Sequence, residues 1–150
     1  MPGTYAFDVK DALVDKLLLE PGLAALVADD AVTYGYGVWS VPGRPRATIW
    51  VGEIEWDDEK SVGLGQSRRD EWFRIMITIE VTFPGDTQKE ANYRARDYMK
   101  IIEAMVRNPR WSGLPVLESE IKPQLLGEGP GDMGRSAMLI MSLHVKARKS

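Results

Sequence analysis

His144 is the only histidine in the chain, and there is no cysteine. A zinc site would have to be built almost wholly of carboxylates, which zinc rarely uses. A disulfide framework and a thiolate nucleophile are excluded outright. His144 lies opposite the apolar residues of an alternating segment, which gives it the plainer role of an exposed or subunit-facing strand residue. Ser67 sits in the nearest approach to a nucleophile elbow, Gly65 to Arg69, but the closing glycine is missing and no apolar strand leads in. A surface loop accounts for it. Gly127, Gly129, Gly131 and Gly134 invite comparison with a phosphate loop, which needs a Gly-Lys-Ser/Thr run opening a helix. Here Met133, Gly134 and Arg135 lead into a strand pattern, and Glu128 and Asp132 would repel phosphate, so a hairpin tip is expected. Asp57, Asp58 and Glu59 lack the spaced ligand order of a calcium loop. Arg68, Arg69, Trp72 and Arg74 mix charge and aromatic in the manner of single-strand nucleic-acid binders. They stand beside the acids Glu53, Glu55, Asp57, Asp58 and Glu59, and the basic stripe such binding needs is absent. No catalytic, cofactor-binding or metal-binding residue is nominated, and the chain is expected not to be an enzyme.

The composition agrees with a folded domain that does no obvious chemistry. The 150 residues suit one domain spanning 1–150, with 44% hydrophobic and 27% charged residues. A net charge of −3 offers no general affinity for nucleic acid or membrane. Charges interrupt the apolar residues of the first twenty positions, so no signal-peptide core is expected there, and no uncharged apolar run is long enough to span a bilayer.

The elements follow from periodicity. Asp8 is placed to cap a helix whose apolar positions are Val9, Ala12, Leu13, Leu17 and Leu18; Pro21 and Gly22 interrupt it, and residues 23–27 resume as a short turn. Residues 33–41 and 47–56 read as strands, with Ile49 and Val51 on one face of the second and Trp50, Ile54 and Trp56 on the other. Residues 57–69 read as a long connecting loop. Over residues 71–83, Phe73, Ile75, Ile77, Ile79, Val81 and Phe83 alternate strictly with polar or exposed types, which predicts a strand with one face in a core. Thr87 and Glu90 form a capping box for a helix with a stripe of Ala91, Ala95, Tyr98, Ile102, Met105 and Val106, stopped by Asn108 and Pro109. A strand over 116–126, a glycine-rich loop over 127–134 and a strand over 136–146 complete the chain. The order α-β-β-β-α-β-β predicts an α+β domain: a largely antiparallel or mixed sheet of about five strands, covered by two helices.

Taken together, the run at 19–27, the long strand from Glu71 to Val81, the helix from Tyr93 through Arg107 into residues 108–113, and the last strand ending at His144 to Arg148 resemble the tail terminator proteins of long-tailed bacteriophages. The resemblance spans about Asp8 to Arg148 and is one of element order and apolar spacing, with no invariant motif. It implies a ring, usually of six subunits, on the head-proximal end of the tail tube. Such a ring stops addition of tube protein and joins the tail to the head connector, while DNA passes through its lumen unread. The implied partners are other copies of the chain, the tail tube protein and the head–tail connector protein. The implied location is the virion tail, with assembly in the host cytoplasm, and no cofactor or membrane is involved.

A ring needs subunit contacts, and the loop over 57–69 is the nominated place. It carries Asp57 and Asp58 at its start and Arg68 and Arg69 at its end, with Leu64 between. Leu64, flanked by Trp56 and Trp72, would supply apolar burial, and the charges would set register. A solvent-facing loop is the bland alternative. Competing readings of the whole chain are another tail tube or head–tail connector component, or a small ligand-binding or enzymatic α+β domain with a pocket between sheet and helices.

Overall fold

The alternating segment at 71–83 is the middle of the sheet. The computed structural model describes residues 4–23, 32–33, 47–57, 70–84, 88–107, 111, 113–131 and 134–148. Its elements are α1 (Ala6–Leu19), β1 (Val32–Thr33), β2 (Ala47–Trp56), β3 (Asp70–Pro84), α2 (Gln88–Arg107), β4 (Val116–Gly131) and β5 (Gly134–Arg148). The sheet order is β1-β2-β3-β5-β4. The four long strands pair antiparallel throughout. The α+β class is as expected, but the sheet differs in detail. Of the strand expected over 33–41, only Thr33 is described; with Val32 it pairs parallel to β2, and residues 34–41 lie outside the described residues. Residues 21–23 are helical, a third helical segment.

Directly opposed residues in antiparallel strands share a face. Phe73, Ile75, Ile77, Ile79 and Val81 of β3 therefore stand with Val145, Leu143, Met141, Leu139 and Ala137 of β5, and all are buried. Ala47, Ile49 and Val51 extend this face across β2. Two helices close over it, with Ala6, Val9, Leu13 and Leu17 from α1 and Ala91, Ala95, Tyr98, Ile102 and Val106 from α2. The small Ala91 and Ala95 let α2 approach the sheet. Met105, expected in that stripe, packs against the core while partly buried.

Two features depart from the periodic reading. The first is a shift in β2 register between Val51 and Ile54. Val51 opposes Ile77 and Ile54 opposes Ile75, so two residues, Gly52 and Glu53, fit where strict alternation allows one. Ile54 and Trp56 thereby join Ile49 and Val51 on the helix side, instead of standing opposite them. The second is the length of the last hairpin. Gly127, Gly129 and Gly131 lie inside β4, opposite Met138, Ser136 and Gly134, rather than in a loop. The β5 strand supplies the ladder that the glycines cannot specify by side chain. β4 is an edge strand, which also explains how Pro123 and Pro130 fit within it.

The start of α1 also differs from expectation. Asp8 lies in the first turn, and Tyr5 is the N-cap residue with no side-chain cap. Thr4 Oγ1 accepts from Ala6 N (3.0 Å), and Tyr5 N donates to Glu71 Oε1 (2.7 Å). Thr87, Asn108 and Pro109, named above as helix boundaries, lie outside the described residues. Gly113, with φ of 80°, makes the turn in which Leu114 N donates to Trp111 O (2.9 Å).

Candidate assembly surfaces

Both helices cover one face of the sheet, and no described helix covers the other. Side chains on that second face fall in rows across the strands. Trp50, Thr78, Ile140 and Leu125 form one row from β2 to β4. Glu55, Arg74, His144 and Glu120 form another, with Arg74 and His144 on the inner strands between two acids. Arg74 Nη2 meets Glu55 Oε1 at 2.6 Å, and this hydrogen bond holds the Glu55 carboxyl below its ordinary range and raises the Arg74 guanidinium. Trp50 and Thr78 are buried at the centre of the face, whereas Leu125 at its β4 edge is 59% exposed. The face thus has an apolar row beside a polar row with acids at both ends, a pattern suited to protein contact in register.

A Ser–His contact lies on the same face and was not foreseen. Ser142 Oγ is 2.9 Å from His144 Nε2, and Gln124 Nε2 donates to the same hydroxyl at 2.9 Å. Both residues alternate outward on β5, which is the sequence signal that could have found them. The pair has the reach of a nucleophile and base. However, Ser142 is fully buried, and β5 lies between β3 and β4, so its amides here belong to the ladders. The Gln124 contact makes the hydroxyl a junction between β4 and β5. Among the described residues no group of three or more His, Asp or Glu side chains is placed to hold a metal ion.

Of the nominated interface residues, Trp56, Asp57 and Trp72 are described, while Asp58, Leu64, Arg68 and Arg69 lie outside the described residues, as does Ser67. Asp57 N donates to Trp72 O (2.9 Å), which ties the two ends of the intervening segment together. The two tryptophans do not form one patch. Trp56 opposes the buried Phe73 and so stands on the helix side, 39% exposed. There it meets Phe7, with ring centroids 6.0 Å apart, and its Nε1 donates to Thr4 Oγ1 (3.3 Å). Trp72 opposes Lys146 on the other face, with Lys146 Nζ 4.9 Å from its ring centroid. The bulge in β2 is the reason for the separation.

No protein-family model matches the chain, and no curated protein matches it. Among solved structures, a chain from the virion of a native gene transfer agent (GTA) particle matches with a TM-score of 0.52. The likeness is one of fold. It covers 92% of this chain and 94% of that one at 14% identity, so the fold is shared over nearly the full length of both.

Proposed function

We propose that this chain is a structural protein of a phage-like particle and that it acts by assembly. The observation that carries the reading is the fold shared over nearly the full length with a chain of a gene transfer agent virion. The apolar row and the polar row on the helix-free face support it, since they suit a protein partner. Within that role, the finer proposal is a ring, of six copies by the resemblance to tail terminators, at the head-proximal end of the tail tube. There it stops tube polymerisation and joins the tail to the head–tail connector protein, with DNA passing through the lumen unread. Its place is the virion tail, reached by assembly in the host cytoplasm. The segment carrying Asp58, Leu64, Arg68 and Arg69 is proposed to contact a neighbouring copy or the tube, and no chemical turnover is part of the role.

Electron microscopy of particles made with and without the gene tests the reading. Loss of the protein should yield tails of uncontrolled length that fail to join heads. Normal tails and normal joining in its absence would refute it. Deleting residues 60–66 should leave the free subunit folded while blocking its incorporation, and incorporation at wild-type yield would remove that segment from the interface.

A further inference from the structure

Each helix carries an exposed stripe that the core does not use, and the two stripes complement one another. On α1 the exposed residues are Phe7, Asp8, Asp11, Asp15, Leu18 and Leu19, which lie on one helical face. Acids occupy its middle and apolar residues its ends, with Phe7 59% and Leu18 56% exposed. The cations of α1 are turned aside. Lys10 Nζ donates to Gly52 O at 2.6 Å, and Lys16 Nζ lies 5.6 Å from the Trp111 ring centroid.

The exposed stripe of α2 includes Lys89, Tyr93, Arg96, Lys100, Ala104 and Arg107, with the acids Glu90 and Asp97 along one margin and Arg96 Nη2 3.2 Å from Asp97 Oδ1. Five cations against three acids leave α2 with a charge of +2, whereas three acids against two cations leave α1 with −1. Tyr93 is held between Lys89 Nζ at 5.5 Å and the Arg96 guanidinium at 4.5 Å from its ring centroid. It is a rigid aromatic anchor within a cationic rim. The spacing matches as well. Phe7 and Leu18 are eleven residues apart with Asp11 and Asp15 between them, and Tyr93 and Ala104 are eleven apart with Arg96 and Lys100 between them. Each pair spans about 16 Å along its helix.

We propose that the acidic face of α1 docks on the basic face of α2 in a second copy of this chain. The surfaces differ, so the contact is head-to-tail and repeats from copy to copy. α1 lies over β2, toward one side of the sheet, and α2 over β3, β5 and β4, toward the other. Successive copies can therefore continue the helix layer around a ring, and in this respect the inference rests on the assembly role proposed above. Apolar burial at the ends of each stripe holds the contact, and the charges reject α1 on α1 and α2 on α2.

The absence of native cysteine makes the test specific. The variant carrying both Asp15→Cys and Lys100→Cys should give, on mild oxidation in solution and on assembled tails, a ladder of cross-linked species. Either change alone should not. A double variant that cross-links no more than the single ones overturns the contact. Charge reversal adds a second readout. Asp11→Lys with Asp15→Lys, and Arg96→Glu with Lys100→Glu, should each abolish assembly alone, whereas a mixture of the two proteins should assemble by alternation. Assembly indifferent to both reversals overturns the helix contact but leaves the structural role standing. A wild-type chain that associates neither free nor on tails overturns both.

Discussion

Glu71→Gln should destabilise the domain far more than a neutral isostere at a surface would. Glu71 is 1% exposed, and its carboxylate accepts from Tyr5 N at 2.7 Å and from the Thr4 hydroxyl at 2.8 Å. It joins the start of β3 to the start of α1 across 66 residues of chain, and it places an anionic group at a helix N-terminus. In the amide, the remaining carbonyl oxygen can still accept from Tyr5 N. The new NH2 group would face Thr4 Oγ1, which already accepts from Ala6 N and Trp56 Nε1 and has no lone pair left. One charge-assisted hydrogen bond is lost without replacement, at about 1.5–3 kcal/mol. For a domain of this size that corresponds to a fall in Tm of roughly 4–10 °C. Glu71→Ala should cost more, because two buried donors lose their acceptor. Urea unfolding followed by tryptophan fluorescence measures both, and Trp56 lies close enough to report the local change. A Glu71→Gln protein within about 0.5 kcal/mol of the parent, the usual range for a neutral surface substitution, would refute the argument that this carboxylate anchors α1.

Deleting Glu53 should make β2 regular while leaving Ile54 opposite Ile75 and Trp56 opposite Phe73 on the helix side, since one residue would then separate Val51 from Ile54 as one separates Ile77 from Ile75; a loss by urea unfolding well beyond about 0.5 kcal/mol would show that the bulge itself stabilises the sheet. Gly52→Ala should be tolerated, because an added Cβ would meet only Met76 O at 3.6 Å and Met76 Cβ at 3.9 Å. The Glu55 carboxyl should titrate at higher pH in Arg74→Met than in the parent, as followed by NMR. Its folded-state pKa is depressed by Arg74, so its contribution is present above the unfolded-state value and lost as pH falls through the folded one. An unchanged midpoint would mean the pair does not persist in solution.

The alternation from Phe73 to Phe83 and the stripe from Ala91 to Val106 were legible in the sequence because both are amphipathic, and burial repeats with the period of the element. That was enough for the α+β class, the central strand and the long helix. The glycine-rich segment, which lacks such a pattern, was misread. Gly127, Gly129 and Gly131 have no side chains to alternate, and only pairing with β5 makes them strand. Of the strand expected over 33–41, Thr33 is described, and together with Val32 it pairs parallel to β2, which no local signal encodes.

The candidate surfaces divide in the same way. Which residues of α1 and α2 face outward follows from helical period alone, so both charged stripes could be written from the sequence. That they sit on one sheet as possible partners for neighbouring copies is a fact of topology. The Ser142–His144–Gln124 cluster depends on the register of β4 against β5, including a shift between Pro123 and Leu125. The separation of Trp56 from Trp72 depends on the two-residue irregularity after Val51. A strand's side chains change face with every residue, so one insertion inverts all that follows. Periodicity names the residues that share a face within an element, but cross-strand register decides which elements' faces meet.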